Sequence, residues 1–162
     1  EQARMYLLGI QRLQALGFQQ YEISNFARPG FECRHNIGYW RGRDYLGVGP
    51  AAVSCIDSRR WSNPDDIREY LQVSVNGDRF FKTPVLDGQD RINEWIMLGL
   101  RTRQGLSLSC YADLTGTDLV HEHQDLINAL QGRGLISVDQ NRLCLTPEGM
   151  LVSDSLIARF FH

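Results

Sequence analysis

"GRGLISVDQNRLCLTPE", residues 132–148, is the stretch on which the fold turns. Ile136 and Val138 alternate with a polar residue, as do Leu143 and Leu145 with Cys144, and the run "DQN" between them has the composition of a hairpin turn. Thr146-Pro147-Glu148 then starts a helix by rule, with a capping oxygen, a proline at the first helical position and an acid in the positive first turn. Upstream, the spacing of Leu119, Leu126, Ile127 and Leu130 predicts a helix from Asp118 to Gln131 with one apolar stripe. A shorter helix is expected over about 107–114, and another over 90–101 with Ile92, Trp95, Ile96, Met97 and Leu98 mostly inward. Three helices, a hairpin and a closing helix make residues 90–162 a small winged-helix-like α+β module.

Before that module, residues 78–89 hold a proline and a glycine without a clear period and read as a linker. Residues 1–77 have the rhythm of α/β units. "EQARMYLLGIQRLQALGF" is amphipathic, with Ala3, Tyr6, Leu7, Ile10, Leu13 and Leu16 at helical spacing and Gly17 as a stop. A helix already under way at the first residue makes the chain read as the end of something longer. "FQQYEIS" follows as an extended run, "NFARPGFE" as loop and "CRHNIGYW" as a short helix. "DYLGVGPAAVSCI" reads as a buried strand broken by Gly47, Gly49 and Pro50, and "SNPDDIREYLQVSVNG" as a helix capped by Asn63.

Composition narrows the function classes. The densest apolar run, "WIMLGL" at 95–100, is far below the roughly 20 residues that span a bilayer, which leaves peripheral contact as the only membrane role expected. Cys33, Cys55, Cys110 and Cys144 are too widely spaced for a zinc knuckle or a redox dithiol, as expected of scattered thiols in a reducing compartment. The formal charge of -2 is unevenly divided. Residues 1–84 hold 11 Lys+Arg against 9 Asp+Glu, and residues 85–162 hold 6 against 10. The predicted helix at 118–131 carries Asp118, Glu122 and Asp125 with no cation, so no nucleic-acid partner is expected. Cations concentrate at 28–43, where Arg28, Arg34, Arg41 and Arg43 face Glu32 alone, favouring a small anionic ligand.

"ECRHNIGYW", 32–40, is the one stretch with the makings of a site. If helical, it sets His35 and Tyr39 on one face at i,i+4, with Asn36 and Trp40 beside them, presenting an imidazole, an amide and two flat rings toward one space. Such rings stack on planar aromatic ligands, imidazole is a common axial ligand of haem iron, and Arg28, Arg34 and Arg41 would pair with propionates. Spacing alone leaves a second reading open, in which Trp40 anchors the core and the arginines are a solvated face. Cys33 is a secondary soft-ligand candidate, although as a lone thiol it is expected to be buried and inert. "LGVGP" lacks the third glycine and the lysine of a phosphate loop, and His121 and His123 are expected at the surface.

Residues 21–49, "YEISNFARPGFECRHNIGYWRGRDYLGVG", resemble the radical-SAM family of oxygen-independent coproporphyrinogen III oxidase and its haem-chaperone (HemW) relatives. The tail at 98–107 and 134–157 resembles that family's C-terminal domain. The resemblance implies the last α/β units of a partial TIM-type barrel over 1–77, ahead of the winged-helix-like module. It implies haem bound by His35, Asn36, Tyr39 and Trp40, with Arg34 and Arg28 nearby and His35 on the iron, in a cytoplasmic chaperone that passes haem to acceptor proteins. A [4Fe-4S] cluster and S-adenosylmethionine would belong to the complete protein, and radical decarboxylation of coproporphyrinogen III is the alternative activity. Glu22, Ser24 and Asn25, at the end of a barrel strand, are secondary candidates. Two departures stand out: no cysteines here have the family's C-x3-C-x2-C spacing, and Ala51-Ala52-Val53-Ser54 stands where the family reads Gly-Ala-His-Ser, so the family histidine is a valine.

Overall fold

A computed structural model describes residues 1–74 and 85–161. The first helix, α1 (Gln2–Ala15), buries Ile10 and half-buries Tyr6, Leu7 and Leu13. It ends before Gly17, whose φ of +83 is one that glycine adopts without a side-chain clash. β1 (Gln19–Gln20) turns at once and pairs antiparallel with β2 (Phe26–Ala27). The extended run expected at "FQQYEIS" is therefore only two residues of strand. α2 (Arg34–Trp40) forms as the "CRHNIGYW" spacing predicts.

The long buried strand expected over "DYLGVGPAAVSCI" reduces to β3 (Val53–Ile56), paired with β4 (Arg59–Ser62) through a two-residue turn. Asp57 and Ser58 both take positive φ there, 49 and 60, as the favoured hairpin turn requires. Upstream, the chain doubles back on itself instead of extending. A Cβ on Gly47 would lie 2.2 Å from the Val53 carbonyl oxygen, and Leu46 and Val48 are left exposed. Asn63 does not cap a helix: its Nδ2 donates to the Gly47 and Gly49 carbonyls and pins this fold-back. Asp66 caps α3 (Ile67–Ser74) instead, accepting from Arg68 N and Glu69 N at 2.9 Å each.

Most of the expected linker lies outside the described residues. Past it, Asp87 caps α4 (Gly88–Leu100) through the Asp90 amide at 2.7 Å. β5 (Leu106–Ser107) and α5 (Leu108–Thr115) follow, then α6 (Leu119–Glu122) and α7 (Gln124–Gly132). The single helix expected over 118–131 is thus two, broken at His123. β6 (Ile136–Val138) and β7 (Arg142–Leu145) make the expected hairpin, and β5 adds to it in the order β5-β7-β6. Thr146 caps α8 (Pro147–Met150) through Gly149 N, with Pro147 in the first turn as anticipated. α9 (Ser153–Ile157) and a 3-10 turn at Ala158–Phe160 close the chain against α4.

One core of buried residues runs from Ile96 to Phe160 and fills the space between this sheet and the helices. Every strand pairing among the described residues is antiparallel, so they do not pair in parallel as barrel strands would. No helix among them is long and apolar enough to cross a membrane.

Candidate functional site

The short helix α2 presents two opposite faces, because residues four apart fall together while Trp40 lies about half a turn from His35. On one face the His35 and Tyr39 rings meet edge-on with centroids 4.7 Å apart, and Tyr39 meets Tyr45 at 4.6 Å in the same way. His35 and Tyr39 are exposed, so the imidazole is open to a ligand. Tyr45 is fixed from behind by backbone bonds in both directions with Cys55, 2.8 and 2.9 Å. Arg60 bonds it and is ion-paired to Glu94 on α4, which ties the aromatic row to the C-terminal half. Burial pushes the Tyr45 hydroxyl up from its ordinary value against the pull of Arg60. Burial would lower Arg60, but Glu94 and then Tyr45 outweigh it and hold the guanidinium above its usual value.

The other face of α2, Ile37, Trp40 and Arg41, lines a cavity of about 970 Å³. Its far wall is α4, with Arg91, Ile92, Trp95 and Leu98, and its floor is the segment from Thr102 to Ser107 with Cys110. Asn36 stands between the faces, its amide donating to the Tyr21 hydroxyl at 3.4 Å. The four residues expected to converge on one space therefore serve two.

The remaining candidates disperse. Arg34 is exposed on α2, while Arg28 stacks its guanidinium 5.4 Å from the Phe18 ring. Cys33, expected to be buried, is exposed at the start of α2, because the chain enters that helix from a surface loop. Glu22 is buried at 1% exposure, accepting from Ser24 N at 3.2 Å and bridging to Thr102; Ser24 and Asn25 are exposed in the turn that joins β1 to β2. His123 is not a surface residue as expected: it is half-buried with its ring 5.3 Å from Phe160. Tyr45, Arg60, Glu94 and the cavity residues Arg91, Arg103 and Arg142 were not singled out from sequence, whereas Arg41 was. Only the i,i+4 pair Arg91 and Trp95 on one predicted helix was a readable signal.

The donor set does not fit an iron-sulfur cluster. Among the described residues no three or more of His, Cys, Asp and Glu gather as a metal site, and the Cys144 thiol faces the Gln104 carbonyl at 3.6 Å.

Residues 86–152 match the family model described as the HemN C-terminal domain. The chain is similar to this family's haem chaperones: it is 30% identical over 161 residues to heme chaperone HemW of Bacillus subtilis, covering 99% of this chain and 42% of the relative. It is 35% identical over 160 residues to heme chaperone HemW of Mycobacterium tuberculosis, covering 96% of this chain and 38% of the relative. The chain thus spans about two fifths of the length of these relatives. The solved structure titled coproporphyrinogen III oxidase (HemN) from Escherichia coli, a radical SAM enzyme, has the same fold over 96% of this chain and 39% of its own, with a TM-score of 0.70 at 22% identity.

Proposed function

We propose that this chain is the haem-holding part of a cytoplasmic haem chaperone, with His35 as the iron ligand and Tyr39 flanking the bound macrocycle. The observation that carries the reading is the geometry of His35: exposed, edge-on to Tyr39 at 4.7 Å, and backed by Tyr45. An imidazole held in one orientation by edge-on ring contacts is prepared to bind iron, because less rotamer freedom is lost when the bond forms. Arg34 and Arg43, both exposed close by in sequence, are free to swing onto propionates. The relatives named heme chaperone support the assignment. In this reading residues 1–77 complete a partial barrel with a preceding part of the protein, 78–89 link, and 90–162 form a winged-helix-like module; the strand order β5-β7-β6 supports the last point. The acceptors would be haem-requiring proteins, and the cluster and S-adenosylmethionine would sit outside this chain.

The test is a haem titration followed by the Soret band. The 162-residue chain is expected to bind haem with a histidine-type spectrum, and His35→Ala to lose that spectrum. An unchanged Soret band in His35→Ala sinks the assignment. Clear turnover of coproporphyrinogen III by a full-length, cluster-loaded form would overturn the chaperone reading in favour of the oxidase.

A further inference from the structure

The groove between α2 and α4 has a lining of two chemistries. Its half-buried part is apolar: Ile37 and Trp40 from α2, and Ile92, Trp95 and Leu98 from α4. Its exposed part is cationic, with Arg41 at the end of α2, Arg91 on the first turn of α4, Arg103 in the turn after α4 and Arg142 on β7. Among the described residues none of these four has a carboxylate partner, and Arg103 and Arg142 bond the neutral Gln19 side chain and Gln104 carbonyl. Of the two acids in the lining, Glu94 is paired with Arg60 and Glu32 accepts from Gly30 N at 3.2 Å. A part-desolvated centre rich in Trp, with Arg around it and charge kept to the edge, is the make-up of surfaces that hold another protein.

We propose that this groove docks an acidic segment of a partner protein, whose Asp and Glu side chains pair with the four arginines while its large apolar side chains lie against Trp40 and Trp95. Guanidinium forks match carboxylates in pairs, and cations on four separate elements suit charges spread along a chain better than charge gathered on one small anion. The aliphatic side chains of Ile37, Ile92 and Leu98 between the indoles suit Leu or Phe anchors and add nothing to a stacked base. A nucleic acid is disfavoured on a second count, since residues 85–162 hold 6 Lys+Arg against 10 Asp+Glu and repel a polyanion that runs on past the groove. The space, about 970 Å³, takes a short segment and not a whole partner surface, so micromolar, salt-sensitive binding is expected. The inference does not rest on the haem reading, because His35 is absent from this lining.

The test is a selection from a random-peptide phage library on the 162-residue chain, with the enriched peptides then made with a fluorescent label and titrated by anisotropy. They are expected to carry Asp and Glu interleaved with Leu, Phe or Trp, and to bind about tenfold more weakly in about 1 M than in about 0.1 M salt, as the screening length falls from about 10 Å to about 3 Å. Cys110 and Cys33 are free, exposed thiols inside and outside the lining. A bound peptide should slow alkylation of Cys110 several-fold and leave Cys33 unchanged, read residue by residue by mass spectrometry. Arg91→Glu should lose the acidic peptide and gain a version with lysines in place of its acids, an exchange that mere damage to the fold does not produce. Arg142→Glu should behave alike, and His35→Ala should bind the acidic peptide within a factor of about two of the wild type. Enriched peptides without an excess of acids, or Cys110 alkylated equally fast at saturating peptide, overturn the proposal. A lysine peptide gained by neither arginine variant overturns the charge pairing, and a single-stranded oligonucleotide that protects Cys110 better than the peptides overturns the choice of a protein. Peptide binding lost in His35→Ala overturns the assignment to this face of α2, whereas a wild type that binds the peptides without a histidine-type haem spectrum would refute only the haem reading.

Discussion

The two halves of the molecule bury their apolar residues to very different extents. All fourteen described residues of the hydrophobic core cluster lie between Ile96 and Phe160, and in residues 1–72 the buried apolar side chains are Ile10 and Ala27. Exposure runs the opposite way. Met5, Leu8, Leu16, Phe31, Leu46, Val48, Ile67 and Leu71 are all large, apolar and exposed in the first half, against Val85, Leu114, Val152 and Phe161 in the second. Apolar burial is the dominant favourable term in folding, so the C-terminal half carries its own stability and the N-terminal half leans on it. Besides Tyr6, which packs against the C-terminal core, the ties across the boundary are polar and specific: Arg60 to Glu94, Arg103 to Gln19, and Ile23 N to the Arg101 carbonyl at 2.9 Å. The candidate ligand His35 sits in the weakly buried half.

The sharpest way to break this comparison is to cut one large side chain from each half. Phe160 is fully buried against His123, and Phe160→Ala should cost about 3–5 kcal/mol, from lost transfer energy and the cavity left behind. Ile10, the main buried anchor of α1, should cost no more than about 2 kcal/mol as alanine, since an exposed, lightly packed helix can settle into the gap. Denaturant unfolding measures both. Equal losses would show that the halves share one cooperative core.

A smaller effect marks the well-packed half through its pH dependence. Tyr111 is 1% exposed and donates to Glu122 Oε2 at 2.7 Å. Burial, reinforced by that carboxylate, pushes its hydroxyl up to about 12. The folded state therefore favours the neutral phenol relative to the unfolded chain, whose value is 10.0. That contribution is fully present below pH 10 and is lost as pH rises toward about 12, to the extent of roughly 3 kcal/mol. Tyr111→Phe should flatten the fall in stability over that window while costing about 1 kcal/mol at neutral pH. An ultraviolet titration that shows every tyrosine ionising together near pH 10 would refute this.

How far the sequence could be read follows the same division. The hairpin at 136–145, the cap at Thr146 and the capped helix over the nineties were all legible, because each rests on local patterning or turn chemistry that burial then reinforces. The break at His123 was not legible, since the apolar stripe continues across it while the His123 ring turns in against Phe160. In the first half, the glycine-rich apolar run has the composition of a strand, yet only Val53–Ile56 of it forms one. The decisive contacts were the side-chain bonds from Asn63 to two carbonyls some fifteen residues away, which no local period encodes. Of the site, the existence of α2 and the pairing of His35 with Tyr39 followed from spacing. The cavity did not, because it needs α4 to come alongside α2, a matter of tertiary packing.

The least of the expected effects lies where the chain departs from its family. Ala51 has φ of 58, in the left-handed region that a Cβ makes costly, with its amide bonded to the Pro64 carbonyl at 2.8 Å. The family resemblance implies glycine at this position, and glycine adopts such a φ freely. Ala51→Gly should therefore stabilise the fold-back by about 1 kcal/mol, less the extra freedom glycine gains in the unfolded chain. The change removes one methyl from an exposed residue, so packing cannot account for a gain. A rise in melting temperature for Ala51→Gly, with none for Ala52→Gly as the neighbouring control, would locate the strain at one dihedral. Equal behaviour of the two would show that the loop tolerates alanine there.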